Sequence, residues 1–205
     1  CHDCQRPHQR HLPMMTILAA TTNSHKLHEL RALLRGHGIH VLSATDVGGI
    51  PEIEEHGSTF EENACLKAVS AARATGLTAC ADDSGLEVLA LHGEPGVRSA
   101  RYAMPHGDSA AAMQRVLDRI GGQTDRRARF VCVIALATPD RLLGAAHGTV
   151  SGVIAEQPRG SSGFGYDPIF IPDGFDHTFA ELGSAVKDSM SHRARAIAAA
   201  LAENL

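Results

Sequence analysis

Apolar positions along this chain come in short blocks whose spacing changes from block to block. Thr16-Ile17-Leu18-Ala19-Ala20 reads as a buried strand, and Leu27, Leu30 and Leu34 then recur at helical spacing. Gly36 and Gly38 end that helix, and Ile39 to Leu42 forms the next strand candidate. Thr45 to His56 is an irregular acidic loop. Two overlapping capping boxes follow, Ser58/Glu61 and Thr59/Glu62, which predict a helix running to about Thr75 with Gly76 as its stop. Its inner face is mostly alanine (Ala64, Ala68, Ala71, Ala72), so it is expected to pack close to its neighbour.

The run Leu77 to Ala81 predicts a strand that ends at Asp82-Asp83, with Ser84-Gly85 reading as a turn and Leu86 to Leu91 as a further strand. Asp108 or Ser109 caps a helix carrying Met113, Val116, Leu117 and Ile120 at the i, i+3, i+4, i+7 positions. Phe130 to Thr138 is rich in Val and Ile and predicts a central strand. Leu142 to Ile154 supplies one or two more. A Gly/Ser-rich loop from Pro158 to Gly165 precedes Ile169-Phe170-Ile171, and a last helix begins near Ser191. Strands and helices interleave without a repeat or an inter-domain linker, which predicts a single α/β domain over residues 14–205.

Composition narrows the function. The 205 residues are 43% hydrophobic and 20% charged, with a net charge of −4, so no bulk field favours nucleic acid or a membrane surface. No stretch approaches the roughly 20 apolar residues of a membrane span. Trp is absent and aromatics are only 4%, which argues against a stacking surface for single strands. Five cysteines, Cys1, Cys4, Cys65, Cys80 and Cys132, are an odd set that argues for a reducing, cytoplasmic setting rather than a disulfide framework. Cys1 and Cys4 with His8 and His11 resemble half a zinc site, but no second half completes it. Residues 1–13 carry no apolar signal core and read as a polar, disordered extension.

Five features carry candidate chemistry. Adjacent carboxylates repel, so Asp82-Asp83 at a strand end calls for a cation or donor groups, although a solvated turn is also compatible. Lys26 lies in the first turn of a helix entered through Thr-Thr-Asn-Ser, where free N–H groups and a cation can meet an anion. Lys67 sits among alanines, from which a long cation would reach out toward a cleft. Glycines flanking Phe164 let the backbone approach a flat ligand, and the ring offers a face for stacking. Lys187, His192 and Arg193 surround a helix start, which is electrostatically awkward unless a polar or anionic ligand sits there.

Together the motifs Thr22-Asn23-xx-Lys26-xx-Glu29, Phe60-x-Glu62-Asn63-Ala64-xx-Lys67-Ala68 and Ala81-Asp82-Asp83-Ser84-Gly85-Leu86 occur in order. They are followed by Pro95-Gly96-Val97-x-Ser99-Ala100-Arg101-Tyr102, Gly163-Phe164-Gly165-Tyr166-Asp167-Pro168 and Ser191-His192-Arg193. From Met15 onward the chain resembles the inosine triphosphatase family, the noncanonical purine nucleoside triphosphate pyrophosphatases. The resemblance implies a long mixed sheet flanked by helices, two lobes around a central cleft, and a homodimer. It implies Mg²⁺-dependent cleavage of ITP, dITP or XTP to the monophosphate and pyrophosphate. Rivals are a pyrophosphatase for other modified nucleotides and a silent nucleotide-binding module.

Roles implied by the resemblance fall on matching residues. Thr21, Thr22, Asn23, Ser24, His25 and Lys26 would hold the phosphates, and Lys67 would neutralise charge. Asp83 would be general base or metal ligand, with Glu54 as a second metal ligand. Ser84, Phe164, Gly165, Tyr166, Asp167, Lys187, His192 and Arg193 would contact the nucleotide. Because neighbouring strand residues point to opposite sides, Asp82 and Asp83 are expected to divide their labour, Asp83 facing the metal and water while Asp82 supports the turn or the groups behind the site.

Overall fold

One six-stranded mixed sheet organises the computed structural model, which describes residues 15–53, 55–103 and 108–203. The polar extension, its Cys/His cluster and Glu54 lie outside the described residues. The strands are β1 (Met15–Ala19), β2 (Ile39–Leu42), β3 (Ala79–Val88), β4 (Arg127–Ala137), β5 (Leu142–Ile154) and β6 (Phe170–Pro172), in the order β2-β1-β3-β4-β5-β6. β2, β1 and β3 run parallel, and β3 to β6 antiparallel. The parallel part needs helical crossovers, supplied by α1 (Ser24–Leu34) and α2 (Phe60–Thr75). α3 (Ser109–Ile120), α4 (Phe179–Met190) and α5 (His192–Ala202) complete the fold. Among the described residues no helix is long and apolar enough to cross a membrane.

Local signals set most helix ends. Asn23 caps α1, Asp108 caps α3 and Ser191 caps α5, each side chain accepting from a backbone N–H of the first turn. Thr59 and Glu62 make a reciprocal capping box on α2, and Gly76 closes that helix in the left-handed conformation. The overlapping Ser58/Glu61 box does not form, because the Ser58 hydroxyl and N–H both donate to Glu62.

Two expectations are corrected. Asp82-Asp83-Ser84-Gly85 is not a turn: β3 runs unbroken through it, paired residue for residue with β4 from Ala79↔Ala137 to Val88↔Ala128. Only Leu89–Leu91, read from sequence as the strand's continuation, leaves it as a 3-10 turn. The ladder of a long apolar partner strand outweighs the turn preference of Asp, Ser and Gly. α4 is not among the expected elements, and Gly183 interrupts its helical dihedrals at φ 81°.

Helices cover both faces of the sheet. The alanines of α2 pack on Ala79, Ala81, Val133 and Ala135. α1 and α5 cover the opposite face, over Cys80, Cys132 and Ile134. A third cluster, built from Leu86, Val88, Phe130, Val150 and Phe170 with α3 and Phe179, forms the core of the other end of the molecule. Between these cores the middle of β3 is left uncovered enough to border a cleft.

Candidate active site

Alternation along β3 sends its two aspartates to opposite faces. Asp83 faces α2. Its Oδ1 accepts from Lys67 Nζ at 3.0 Å, and its Oδ2 accepts from Asn63 Nδ2 at 3.2 Å. Asn63 is fully buried, and its Oδ1 accepts from the Gly57 N–H at 2.8 Å, so one amide ties the preceding loop to the carboxylate. The same Lys67 ammonium donates to Glu55 Oε1 at 2.8 Å. Arg101 then holds Glu55 from the far side, through its carboxylate and its backbone carbonyl at 3.2 Å each.

Burial raises the Asp83 carboxyl above the ordinary aspartate range, with Lys67 and Lys26 pulling against that rise. Burial also acts on Glu55, but the hydrogen bond and charge of Lys67 outweigh it and lower that carboxyl. Lys67 is raised despite its burial, because Asp83 and Glu55 both favour the ammonium.

Asp82 looks the other way into a largely buried ionic cluster. Its Oδ2 accepts from Arg193 Nη2 at 2.7 Å and lies 3.2 Å from Lys26 Nζ. Arg193 also donates to Glu29 and, at 3.0 Å, to Ser84 Oγ. Lys187 bridges Glu29 at 2.8 Å and Asp167 at 2.6 Å. Three carboxylates, Asp82, Glu29 and Asp167, are thus matched by Lys26, Arg193 and Lys187. Burial would raise Asp82, yet Lys26 and Arg193 hold it well below the carboxylate range. Asp167 is instead raised by burial, which Lys187 only partly offsets.

A ring-lined surface continues from this cluster. Gly163 adopts φ 78°, and a Cβ there would stand 2.1 Å from Asp167 Oδ2, so only glycine lets the loop fold over that carboxylate. The same oxygen accepts from the Phe164 N–H at 2.8 Å. Lys187 Nζ lies 4.5 Å from the Phe164 ring centroid. Tyr166 is anchored by its hydroxyl, which donates to the Ser99 carbonyl at 2.8 Å. Gly85 leaves room for Ser99: a Cβ would meet its Oγ at 2.3 Å, and that Oγ accepts from the Leu86 N–H. His192 is buried and stacked on Phe130, with centroids 4.7 Å apart, and its Nδ1 has no partner among the described residues. Burial, reinforced by Arg193 and Lys187, keeps that imidazole neutral well below its usual pKa.

One cleft gathers these groups. Asn23, Lys26, Asp83, Ser84, Phe164, Gly165, Tyr166, Asp167, Lys187, His192 and Arg193, all expected from sequence, line it together with Glu55. Lys67 reaches it through Asp83. Thr22, Ser24 and His25 are exposed and do not line it, and Thr21 borders a separate small cavity with Asp82. Sequence reasoning left Glu55 unassigned within its acidic loop, and gave Asn63 and Arg101 no role of their own. Glu29 had a detectable signal, since it lies one position before Leu30 on the buried side of α1 and is itself buried.

Comparison with known proteins follows the same outline. A family model described as the Ham1 family matches residues 17–203. A dITP/XTP pyrophosphatase of Rhodospirillum centenum is 50% identical over 190 residues, covering 91% of this chain and 93% of that protein. One from Bacillus licheniformis is 45% identical over 186 residues, covering 90% and 95%. A solved HAM1 protein from Coxiella burnetii superposes with a TM-score of 0.83 at 43% identity, over 94% of this chain and 100% of that one. The Staphylococcus aureus Ham1 protein gives 0.81 at 44% identity, over 92% and 98%.

Proposed function

The chain belongs to the Ham1 family, and from that premise we propose that it is a nucleoside triphosphate pyrophosphatase that removes noncanonical purine nucleotides. ITP, dITP and XTP are the substrates, and the monophosphate and pyrophosphate are the products. The relatives named dITP/XTP pyrophosphatase support the reaction class. One observation carries the reading to this chain: a single cleft joins the Asp83–Lys67–Glu55 cluster to a surface bearing Phe164 and His192. The first suits a triphosphate and the second a flat base.

Asp83 orients the attacking water and takes its proton. In the absence of a metal, burial makes this carboxyl a stronger base than a solvated aspartate; as a metal ligand it would instead act by holding the ion. Lys67 and Lys26 offset negative charge growing on the leaving pyrophosphate. The Asn23 Oδ1 accepts from the His25 and Lys26 N–H groups and so fixes the first turn of α1 with its positive end and Lys26 at the cleft, where they favour phosphate. The Phe164 ring stacks on the base, while donors near the 6-position accept hypoxanthine or xanthine and are left facing an amino group by adenine. A mismatch of that kind discriminates by about 10⁴-fold.

The donor chemistry also fits magnesium. Asp83 and Glu55 each direct a carboxylate oxygen at the Lys67 ammonium, so a hard, oxygen-only pair lies within reach of one position at the cleft. Among the described residues no cluster of three or more His, Cys, Asp or Glu could hold a metal unaided. Such a site therefore relies on substrate phosphates and water for the remaining positions, as Mg²⁺ sites commonly do. Asp83 and Glu55 would hold the ion, with Glu54 the alternative second ligand, and the ion would neutralise triphosphate charge. A homodimer in a reducing cytoplasm belongs to the same reading, and the free thiols Cys65, Cys80 and Cys132 are in keeping with it.

A panel of ITP, dITP, XTP, GTP, ATP and a pyrimidine triphosphate with Mg²⁺, scored for pyrophosphate against orthophosphate, tests this. Pyrophosphate from ITP, dITP and XTP far above the others is the expected result. Stepwise orthophosphate release, or equal turnover of ATP, would overturn it.

A further inference from the structure

His25 stands between Asn23 and Lys26, both of which line the cleft, yet its own side chain does not. Successive helical residues diverge by about 100° around the axis, so neighbours on α1 serve different surroundings. The imidazole of His25 instead lies against Phe164, with ring centroids 5.1 Å apart and planes 12° from parallel. Phe164 borders two spaces. One is the cleft, and the other is a smaller cavity of about 160 Å³ that His25, His28, Glu29, Phe179 and Lys187 also border.

The Phe164 backbone is held by Asp167 but flanked by Gly163 and Gly165, both at positive φ. The backbone is thus fixed by Asp167, whereas the ring is placed by what packs on it, Lys187 at 4.5 Å from its centroid and His25. With a cavity beside it, the ring needs a support if it is to meet a base in one orientation. His25 is a planar group already in stacking contact.

We propose that His25 is a positioning residue for the nucleobase, acting through Phe164 by blocking retreat of that ring into the smaller cavity. This rests on the reading of the cleft as a purine nucleotide site and assigns one more residue to it. The imidazole then serves the base and not the phosphates, although His25 sits within the phosphate-facing segment Thr21–Lys26. A preorganised ring spares the ligand the cost of ordering it on binding.

The test compares ITP with tripolyphosphate, which has the phosphates and no base. Affinities are read as KM and inhibition constant in the otherwise wild-type protein, and as Kd by calorimetry in an Asp83→Asn background, where ligand is not turned over. His25→Ala should weaken ITP about five- to tenfold, the size expected of one aromatic pair. Tripolyphosphate affinity and the kcat for ITP should each stay within about twofold. His25→Phe, which keeps a planar ring without charge, should restore ITP affinity. Equal weakening of both ligands would assign His25 to the phosphates and overturn the proposal. Unchanged ITP affinity in His25→Ala, or rescue by His25→Lys but not His25→Phe, would do the same. Should the wild type bind ITP without releasing pyrophosphate, the catalytic reading fails while the calorimetric comparison still decides the role of His25.

Discussion

Asp82 and Asp83 are the same residue type, one peptide bond apart, and both are buried. They nevertheless inhabit different electrostatic worlds. On the α1–α5 face, Asp82 is closed in by Lys26 and Arg193, shares its charge with Ser84, and is held well below the usual carboxylate range. On the α2 face, Asp83 borders the cleft, keeps Lys67 and Asn63 as partners, and is raised by burial. The first is a fully compensated structural charge. The second borders the cleft and is more basic than a solvated aspartate. Strand alternation, not residue chemistry, divides the labour, and the helix covering each face supplies the difference.

Replacing each side of this pair should break a different property. Asp83→Asn is expected to lower kcat/KM for ITP by about 10⁴-fold, the upper range for loss of a general base, with the melting temperature little changed; initial-rate kinetics and thermal denaturation check both halves. Arg193→Met leaves Asp82 and Glu29 buried without their shared guanidinium, and should destabilise the fold by about 4 kcal/mol in urea titrations. A stability loss below about 1 kcal/mol would mean that the closed cluster contributes little to holding α5 in place.

The remaining predictions are smaller. Glu55→Gln should lower activity by about 10²-fold, near the effect of losing one carboxylate that holds or orients a metal ligand, and raise the magnesium concentration needed for half-maximal rate. Glu54→Gln serves as the comparison, and a larger effect there would return the second ligand to Glu54. The pH dependence of stability probes the closed face through His192. Its folded pKa lies well below the ordinary histidine value of 6.5, so below about pH 6.5 the unfolded chain binds a proton that the folded one refuses. Stability therefore falls as pH drops, by about 1.4 kcal/mol per unit for this group. The difference between wild type and His192→Phe, measured by denaturant titration at pH 7 and 5.5, isolates that contribution.

Helix ends were legible because capping is local. Asn23, Thr59 with Glu62, Asp108, Ser191 and Gly76 each act within a few residues of the group they satisfy. By the same logic α4 was findable: Thr178 and Glu181 form a capping box ahead of it, and Gly183 masks the pattern. The Asp82–Gly85 segment misled because its residues favour turns, while the force that keeps it extended comes from β4, almost fifty residues away in the chain. Glu55 was hidden among neighbouring acids, since nothing local distinguishes it from Glu52 or Glu54.

By itself the sequence determined the kind of elements, their capped ends, and an ordered set of chemistry-bearing motifs from Thr22 to Arg193. These depend on propensities and spacings that act over a few residues. Only the tertiary structure decided that Asp82 is held in a buried ionic cluster whose cations line the cleft, and that Asp83 itself borders the cleft. It alone assigned Lys67 to bridge Asp83 with Glu55, and turned His25 onto Phe164. Those outcomes rest on which face of a strand or helix is covered, and by what. Long-range packing sets that, and no window of sequence contains it.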